Sequence, residues 1–425
     1  MTRISFLMPT FNRAHLIEES ILSVTSQMSG EDELILVDDG SEDNTAEVLK
    51  RVAGKHRIFH QANSGKAVAL NRALSEANGE YIWICDDDDL LRPDAVTRMV
   101  KAINKPRTDM VFARYTRFTV VDGEKEDMGT GYWPDLSQGS ITRHVLEDSF
   151  VMQNATLAKR SAYDTVGPFD ETLLRSLDYD MAVRLATQVR CQYEDFISFD
   201  QRKHEGARGP ASIRHAAGSS DSVWLDYDRR IFEKQRKIIP MSFYQSMFSH
   251  PDPRLRKRAA LLQRACISAR HDLWSDALVD LRAASVLAPT VALGKVERDI
   301  CRRTVCGKHG FPGALTEDIS SRLRALESDG GNASEIVETI LRGTLWRLRD
   351  DDKDMRAAAK SLITQIIGLS GFARLSASHL VSKIGSESDN GITENREIEP
   401  LLVENQQDTS NHRSSGESPA ERSTV

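Results

Sequence analysis

Residues 85–94 read CDDDDLLRPD, directly after the apolar run YIWI at 81–84. Adjacent carboxylates repel one another, and a turn that only had to be polar gains nothing from gathering four of them. A hard divalent cation prefers oxygen ligands and offsets that repulsion, and Mg²⁺ commonly shares its shell with substrate phosphates. The pattern therefore points to a metal and a phosphorylated nucleotide. A solvated acidic loop opening a helix at Pro93 is the plain alternative. Two other places set polar residues at expected helix starts. Gly65-Lys66 would put backbone N–H groups and a cation where a phosphate could sit, although an exposed lysine there equally serves solubility. RSLDYDMAVRLA (175–186) places Asp178 at or near the start of a helix with apolar positions Met181, Val183, Leu185 and Ala186; Asp180 and Arg184, four apart, would pair on its surface.

The elements that must position these groups alternate. ISFLM (4–8), ELILV (33–37), RIFHQ (57–61) and YIWI (81–84) read as strands. Between them, NRAHLIEESILSVTSQ (12–27), the stretch carrying Val48, Leu49 and Val52, and SGKAVALNRALSEAN (64–78) read as helices. Such alternation predicts a doubly wound, mainly parallel sheet, in which ligands bind beyond the carboxyl ends of the strands. PTFN, DDGS, NSGK and DDDD all fall there. Trp83 and Tyr81, alternating with isoleucines, read as core rather than as stacking platforms. No G-x-G-x-x-G follows the first strand and no G-x-x-x-x-G-K-[ST] occurs, so the nucleotide is held some other way.

Taken together, MPTFNR (8–13), VDDGSEDNT (37–45), NSGKAVALNRAL (63–74), GEYIWICDDDDLLRPD (79–94) and VGPFDETL (166–173) resemble family 2 glycosyltransferases of the GT-A fold over roughly the first half of the chain. The resemblance implies transfer of a sugar from a nucleoside diphosphate sugar, a UDP-sugar foremost, to an acceptor hydroxyl with inversion and with Mn²⁺ or Mg²⁺. The acceptor would be a glycan, a lipid-linked molecule or another hydroxyl compound in polysaccharide, glycolipid or other glycoconjugate biosynthesis. By the same resemblance Pro9 and Thr10 line the nucleoside pocket, Asp39 hydrogen-bonds the base, and Asn63 and Lys66 belong to the donor site. Asp86 and Asp88 match Asp-x-Asp, with Asp88 the direct metal ligand and Asp86 or Asp87 nearer the ribose or a metal-bound water. Asp38 reads instead as a cap of its turn. Relatives carry a Glu-Asp pair whose aspartate is the base; here Leu177 replaces the glutamate and Asp178 alone fills the role, a helix N-cap being the alternative. In QRKHEGARG (201–209), His204 would ligate the metal or touch the diphosphate, or be an ordinary loop residue, while Arg202 and Arg208 would bind phosphate. A Gln-x-x-Arg-Trp motif is absent, which favours addition of one or few residues over polymerisation.

The 425 residues carry a net charge of -7, which gives no sign of a nucleic-acid partner. Five cysteines lack a disulfide spacing, the N-terminus enters a strand without a leader pattern, and no stretch approaches a membrane span, so a protein of the reducing cytoplasm is expected. Cys301, Cys306 and His309 match no common zinc spacing and read as ordinary helix residues. Beyond residue 220 the pattern turns helical: LRKRAALLQRACISAR (255–270), WSDALVDLRAASVLAP (274–289), which looks like part of one tetratricopeptide repeat, and GALTEDISSRLRALES (313–328). MRAAAKSLITQIIGLSGFARLSASHLVSKIG (355–385) would pack on neighbouring helices or lie peripherally at the inner face of a membrane. The expected division is a GT-A domain at 1–220, a helical domain at 221–385 and a disordered tail at 386–425, with the donor site independent of everything after Leu225. A non-catalytic GT-A-like scaffold that binds partners through its helices, and a nucleotidyltransferase, are the rival readings. Oligomeric state is not legible.

Overall fold

In the computed structural model, residues 3–203 (except 53 and 55), 220–382 (except 350) and 389–401 are described. The first four strands form as the alternation requires: β1 (Ile4–Thr10), β2 (Glu33–Asp38), β3 (Arg57–His60) and β4 (Tyr81–Ile84). They pair in parallel in the order β3-β2-β1-β4, connected by α1 (Ile17–Thr25), α2 (Thr45–Val52) and α3 (Lys66–Glu76). Helix α1 starts five residues later than its apolar spacing suggests. The N–H groups of Asn12, Arg13 and Ala14 donate instead to Ser41 Oγ, Thr45 Oγ1 and Asp43 Oδ2, at 2.9, 2.8 and 3.2 Å, so this stretch is held as a turn against the next loop.

The chain continues through β5 (Leu90–Leu91), α4 (Ala95–Ile103), β6 (Met110–Val121), β7 (Glu124–Thr130), α5 (Ile141–Glu147), β8 (Thr156–Lys159), α6 (Arg160–Val166), α7 (Leu177–Gln188) and β9 (Cys191–Arg202). These five strands make the sheet mixed: β8 runs antiparallel to β4 and β6, β5 antiparallel to β9, β7 antiparallel to β6, and β6 parallel to β9. The parallel half keeps the doubly wound character. Side chains alternate between two cores, as they must on a pleated sheet covered on both faces. Phe6, Met8, Leu34, Leu36, Trp83 and Val111 pack with α1, α2 and α4, whereas Leu7, Ile35, Val37, Ile82, Ile84 and Phe112 pack with α3, α5 and α7. Trp83 is fully buried, stacks on Phe6 at 5.8 Å and donates its indole N–H to Asn154 O at 2.8 Å, as expected of a core residue.

The remainder is helical: α8 (Ser220–Ile238), α9 (Met241–Ser246), β10 (Phe248–Ser249), α10 (Pro253–Arg270), α11 (Trp274–Ser285), α12 (Lys295–Arg303), α13 (Glu317–Glu327), α14 (Ala333–Arg342), α15 (Lys353–Ser382) and β11 (Thr393–Glu394). Asp252 caps α10 by accepting from Arg254 N at 2.8 Å, and Pro253 takes the first helical position, where its missing N–H costs nothing. Helix α15 carries Ala359, Leu362, Ile363, Ile366 and Leu375 into the core, and it kinks at Gly368, whose φ is 69°. Among the described residues no helix is long and apolar enough to cross a membrane.

Two expectations about the second half are corrected. The core runs without a break from Leu7 in β1 to Ile392, so residue 220 does not separate two cores. Phe232 of α8 stacks on His271 at 3.6 Å and tilts against Tyr179 of α7 at 5.6 Å. Buried Glu147 of α5 accepts from Arg303 and Gln263 at 3.1 and 2.8 Å, and Arg270 pairs with Asp148. A chain ending near Leu225 would strip these covers from α5 and α7, leaving buried charges without partners. The tail is the second correction. Residues 389–401 return across the molecule: β11 pairs antiparallel with β10, Glu394 reaches Arg143 and Arg303 at 3.3 and 3.5 Å, Glu399 bridges Arg107 and Arg190, and Leu401 N donates to Thr187 O at 2.8 Å. Its polar composition suits these pairings with arginines rather than disorder. Residues 402–425 lie outside the described part.

His271 is buried, bonds through Nε2 to Leu146 O at 2.9 Å, and burial lowers its pKa to about 3. Its depressed value means that the unfolded state binds the proton first, so the histidine's contribution to stability is full above about pH 6.5 and is lost as pH falls toward 3. The stability difference between the wild type and His271→Asn should therefore shrink by roughly 3 kcal/mol between pH 7 and pH 4. Urea titrations at both pH values check this; a pH-independent difference would mean that the histidine is not held neutral.

Candidate active site

The ends of β1, β2, β4 and β9 bring the polar motifs together. Asp39 is buried, and its carboxylate accepts from Gln61 Nε2 at 2.7 Å, Ser64 N at 2.9 Å and Gly65 N at 2.8 Å. It thereby fixes the loop that enters α3. Gly40 must be glycine for this approach: its φ is 78°, and a Cβ there would stand 2.7 Å from Asn63 N. Asp38 accepts from Ser41 N at 3.0 Å, the expected turn cap, and also faces His60 Nδ1 at 3.1 Å. Pro9 and Thr10 are buried at the end of β1, and Asn63 is exposed at the rim of the loop.

The four aspartates do not share one environment. Asp86 meets Lys66 Nζ at 2.5 Å. Asp87 accepts from Phe11 N at 3.4 Å and lies 3.5 Å from Arg13 Nε, which is 3.9 Å from Asp88. Asp89 turns inward, accepting from Asn154 Nδ2 at 2.6 Å and Arg202 N at 2.8 Å. Asn154 also accepts from Asp86 N at 3.0 Å, and Arg202 Nε donates to Asp88 O at 2.9 Å. The turn is thus pinned at both ends from β8 and β9. Burial first, and Asp88 second, push the Asp87 carboxyl up to about 7 against the pull of Arg13. Asp89 is likewise raised by burial and by its neighbours' charge. Negative charge in this turn exceeds what the nearby cations neutralise.

Those carboxylates suit a hard divalent cation. Among the described residues no three His, Cys, Asp or Glu side chains converge as a ready cage. The chain would therefore supply one or two oxygens and leave the other positions to phosphate and water, as Mg²⁺ sites commonly do. Of the two expected ligands, Asp86 is 27% exposed and pairs with Lys66, whereas Asp88 is 14% exposed and lies beside Arg13. His204 and Arg208 lie outside the described residues. Arg202 binds the aspartate turn and Glu19 rather than standing open for phosphate. Cys301 is buried in α12, and Cys306 and His309 fall in the turns beyond it, not on a helix.

Helix α7 delivers the second patch. Its N-cap is Ser176, so Asp178 stands in the first turn and is not the cap. The Asp178 carboxylate accepts no hydrogen bond among the described residues, yet it faces the first patch. Burial opposes the charge on Lys66, but Asp86, then Asp178 and Asp87, outweigh it and raise the lysine's pKa. Lys66 is thus the cation across which the two carboxylate groups look at each other. Asp180 and Arg184 do pair, at 2.9 Å, but in the interior, where Arg184 also donates to Val166 O at 2.8 Å and ties α7 to the end of α6.

With this geometry in hand, the comparisons with known proteins are specific. Residues 5–166 match the model of glycosyl transferase family 2. That stretch, less than half of the chain, is similar to that family. A chondroitin synthase and a hyaluronan synthase of Pasteurella multocida are each 30% identical over 205 residues, covering 47% of this chain and 20% of the relative. The chain thus spans about a fifth of the length of those relatives. The solved structure of S. aureus TarS 1-349 in complex with UDP-GlcNAc is 16% identical, covers 93% of this chain and 100% of that one, and has a TM-score of 0.47.

Asn154, Arg13 and Asp89 carry functions that sequence reading did not assign. Arg13 and Asp89 sit inside motifs already noted, whereas Asn154 gives no local signal. Asn154→Ala should remove the pin between Asp86 and Asp89 and leave the buried Asp89 Oδ2 without its donor, while Arg202 N still serves Oδ1. The expected loss is about 2–4 kcal/mol of stability, with weakened nucleotide binding. Chemical denaturation and UDP calorimetry on the same protein measure both, and an unchanged midpoint would show that the pin is dispensable.

Proposed function

We propose that this chain is a metal-dependent, inverting glycosyltransferase that moves a sugar from a nucleoside diphosphate sugar, a UDP-sugar foremost, to an acceptor hydroxyl in glycan or glycoconjugate biosynthesis. The observation that carries the reading is the meeting of two carboxylate groups across Lys66: the aspartate turn on one side and, on the other, Asp178, which accepts no hydrogen bond among the described residues. The family 2 domain supports it.

The residues divide the work. The loop braced by Asp39, with Pro9, Thr10 and Asn63 beside it, forms the nucleoside side of the site. Lys66 offers an ammonium group that can leave Asp86 for the diphosphate, and the N-terminus of α3 adds its N–H groups. A Mg²⁺ or Mn²⁺ held by Asp88, with Asp86 and the resemblance-assigned His204 as further candidates, would offset the charge that develops on the departing diphosphate. Asp178 takes the acceptor's proton. Acting from the side opposite the leaving group, such a base yields inversion, and its lack of a hydrogen-bond donor leaves its lone pairs available.

Asp88→Asn keeps the shape but removes the charge a hard cation requires. Calorimetry with UDP and Mn²⁺, or GDP if UDP fails, should show loss of metal-dependent binding; unchanged affinity and metal dependence would sink the assignment. Asp178→Asn should bind donor and metal almost as the wild type does, while single-turnover transfer falls by about two to four orders of magnitude. Near-wild-type turnover would remove Asp178 from the mechanism. A protein that binds no nucleotide sugar at all would favour the scaffold reading.

A further inference from the structure

Asp228 lies on α8, outside every motif of the first half, yet its Oδ1 accepts the Ser176 hydroxyl at 2.8 Å in a buried contact. Ser176 is the N-cap of α7 and has a φ of 55°, a left-handed conformation that a serine keeps only where its surroundings hold it. It makes no side-chain cap bond to the helix, because its hydroxyl is turned toward Asp228. Asp178 follows two residues later. On the far side of Asp228, His309 Nε2 stands 3.7 Å from Oδ2. The helical half of the chain therefore places a carboxylate at the root of the helix that carries the candidate base.

We infer that Asp228 is a positioning residue for Asp178, holding Ser176 and through it the first turn of α7. The inference rests on the reading of Asp178 as the base. Burial pushes Asp228 up to about 7; Ser176 and Lys308 act against that rise, and Asp178 and Asp148 add to it. The charged groups around the pair are Lys66 of α3 with its partner Asp86, Asp148 after α5 with Arg270 of α10, and Lys308 and His309 after α12.

Three variants of the full chain separate the effects. Ser176→Ala removes the hydroxyl, Asp228→Ala removes its acceptor, and Asp228→Asn keeps an acceptor of the same shape. Each is followed by UDP calorimetry with Mn²⁺ and by the pH dependence of UDP release. The donor for the second assay is whichever of UDP-glucose, UDP-N-acetylglucosamine and UDP-glucuronate most raises the wild type's thermal midpoint. All three variants should bind UDP within about twofold of the wild type. Ser176→Ala should slow release about tenfold with an unmoved pH midpoint, the usual scale for a mispositioned group. Asp228→Ala should slow release by a similar factor, and Asp228→Asn should keep it within about twofold of the wild type. A wild-type rate in Ser176→Ala or in Asp228→Ala would overturn the inference. So would a loss of UDP binding parallel to the loss of rate, which marks a general folding role. Failure of the underlying reading is distinguishable, because Asp178→Asn would then itself retain turnover.

Discussion

Excess negative charge in one turn is the constraint around which this molecule is arranged. Asp86, Asp87, Asp88 and Asp89 follow the parallel strand β4 without a break, and the fold answers them from five directions: Lys66 from α3, Arg13 from the loop after β1, Asn154 ahead of β8, Arg202 at the end of β9 and the N–H of Phe11. None of these partners is close to the turn in sequence except through the sheet. The segment leading into β8 and the end of β9 bring a neutral amide and a guanidinium under the carboxylates. Buried charge of one sign is unstable unless paired, and a pocket left partly unneutralised is one that favours a cation.

The helical half belongs to the same logic. Its helices do more than cover an apolar face. Arg270 and Arg303 hold Asp148 and Glu147 at the end of α5, and the three arginines about Glu147 outweigh burial and keep that carboxyl well below its ordinary range. Elsewhere Arg258 and Glu297, both fully buried, pair at 2.6 Å and fasten α10 to α12. Breaking such a pair costs about 3–5 kcal/mol, since each partner would be left charged in a dry interior. The buried residues of the two halves form one continuous cluster.

What the sequence made legible was whatever is local or periodic. The first four strands, their three connecting helices and the motifs at the strand ends could be read because alternation and apolar runs are properties of neighbouring residues. Strands β6 and β9 were not read, since both are long, bulged and partly exposed, with Arg114, Arg117, Glu194 and Asp195 interrupting their apolar faces. Among the site residues, the aspartate run and Asp178 announced themselves by type and spacing. Asn154 and Asp228 did not, because an isolated polar residue acquires its meaning from a contact about 70 or 50 residues away. Composition misread residues 389–401 for the same reason: Glu394 and Glu399 look like solvated tail residues until Arg143, Arg303, Arg107 and Arg190 are in place.

That returning segment also bears on how the chain acquires its structure. The pairing of Glu399 with Arg107 joins residues 292 apart, and the β10-β11 pair joins positions on either side of six helices, α10 to α15. Contacts of such long sequence separation close large loops, and their entropic cost has to be met before they add stability. During synthesis the first half leaves the ribosome long before its partners at 389–401 exist, so Arg107, Arg143 and Arg190 spend that interval facing solvent. The last strand to be made is a clasp, and vectorial synthesis sets the time at which the finished molecule can lock.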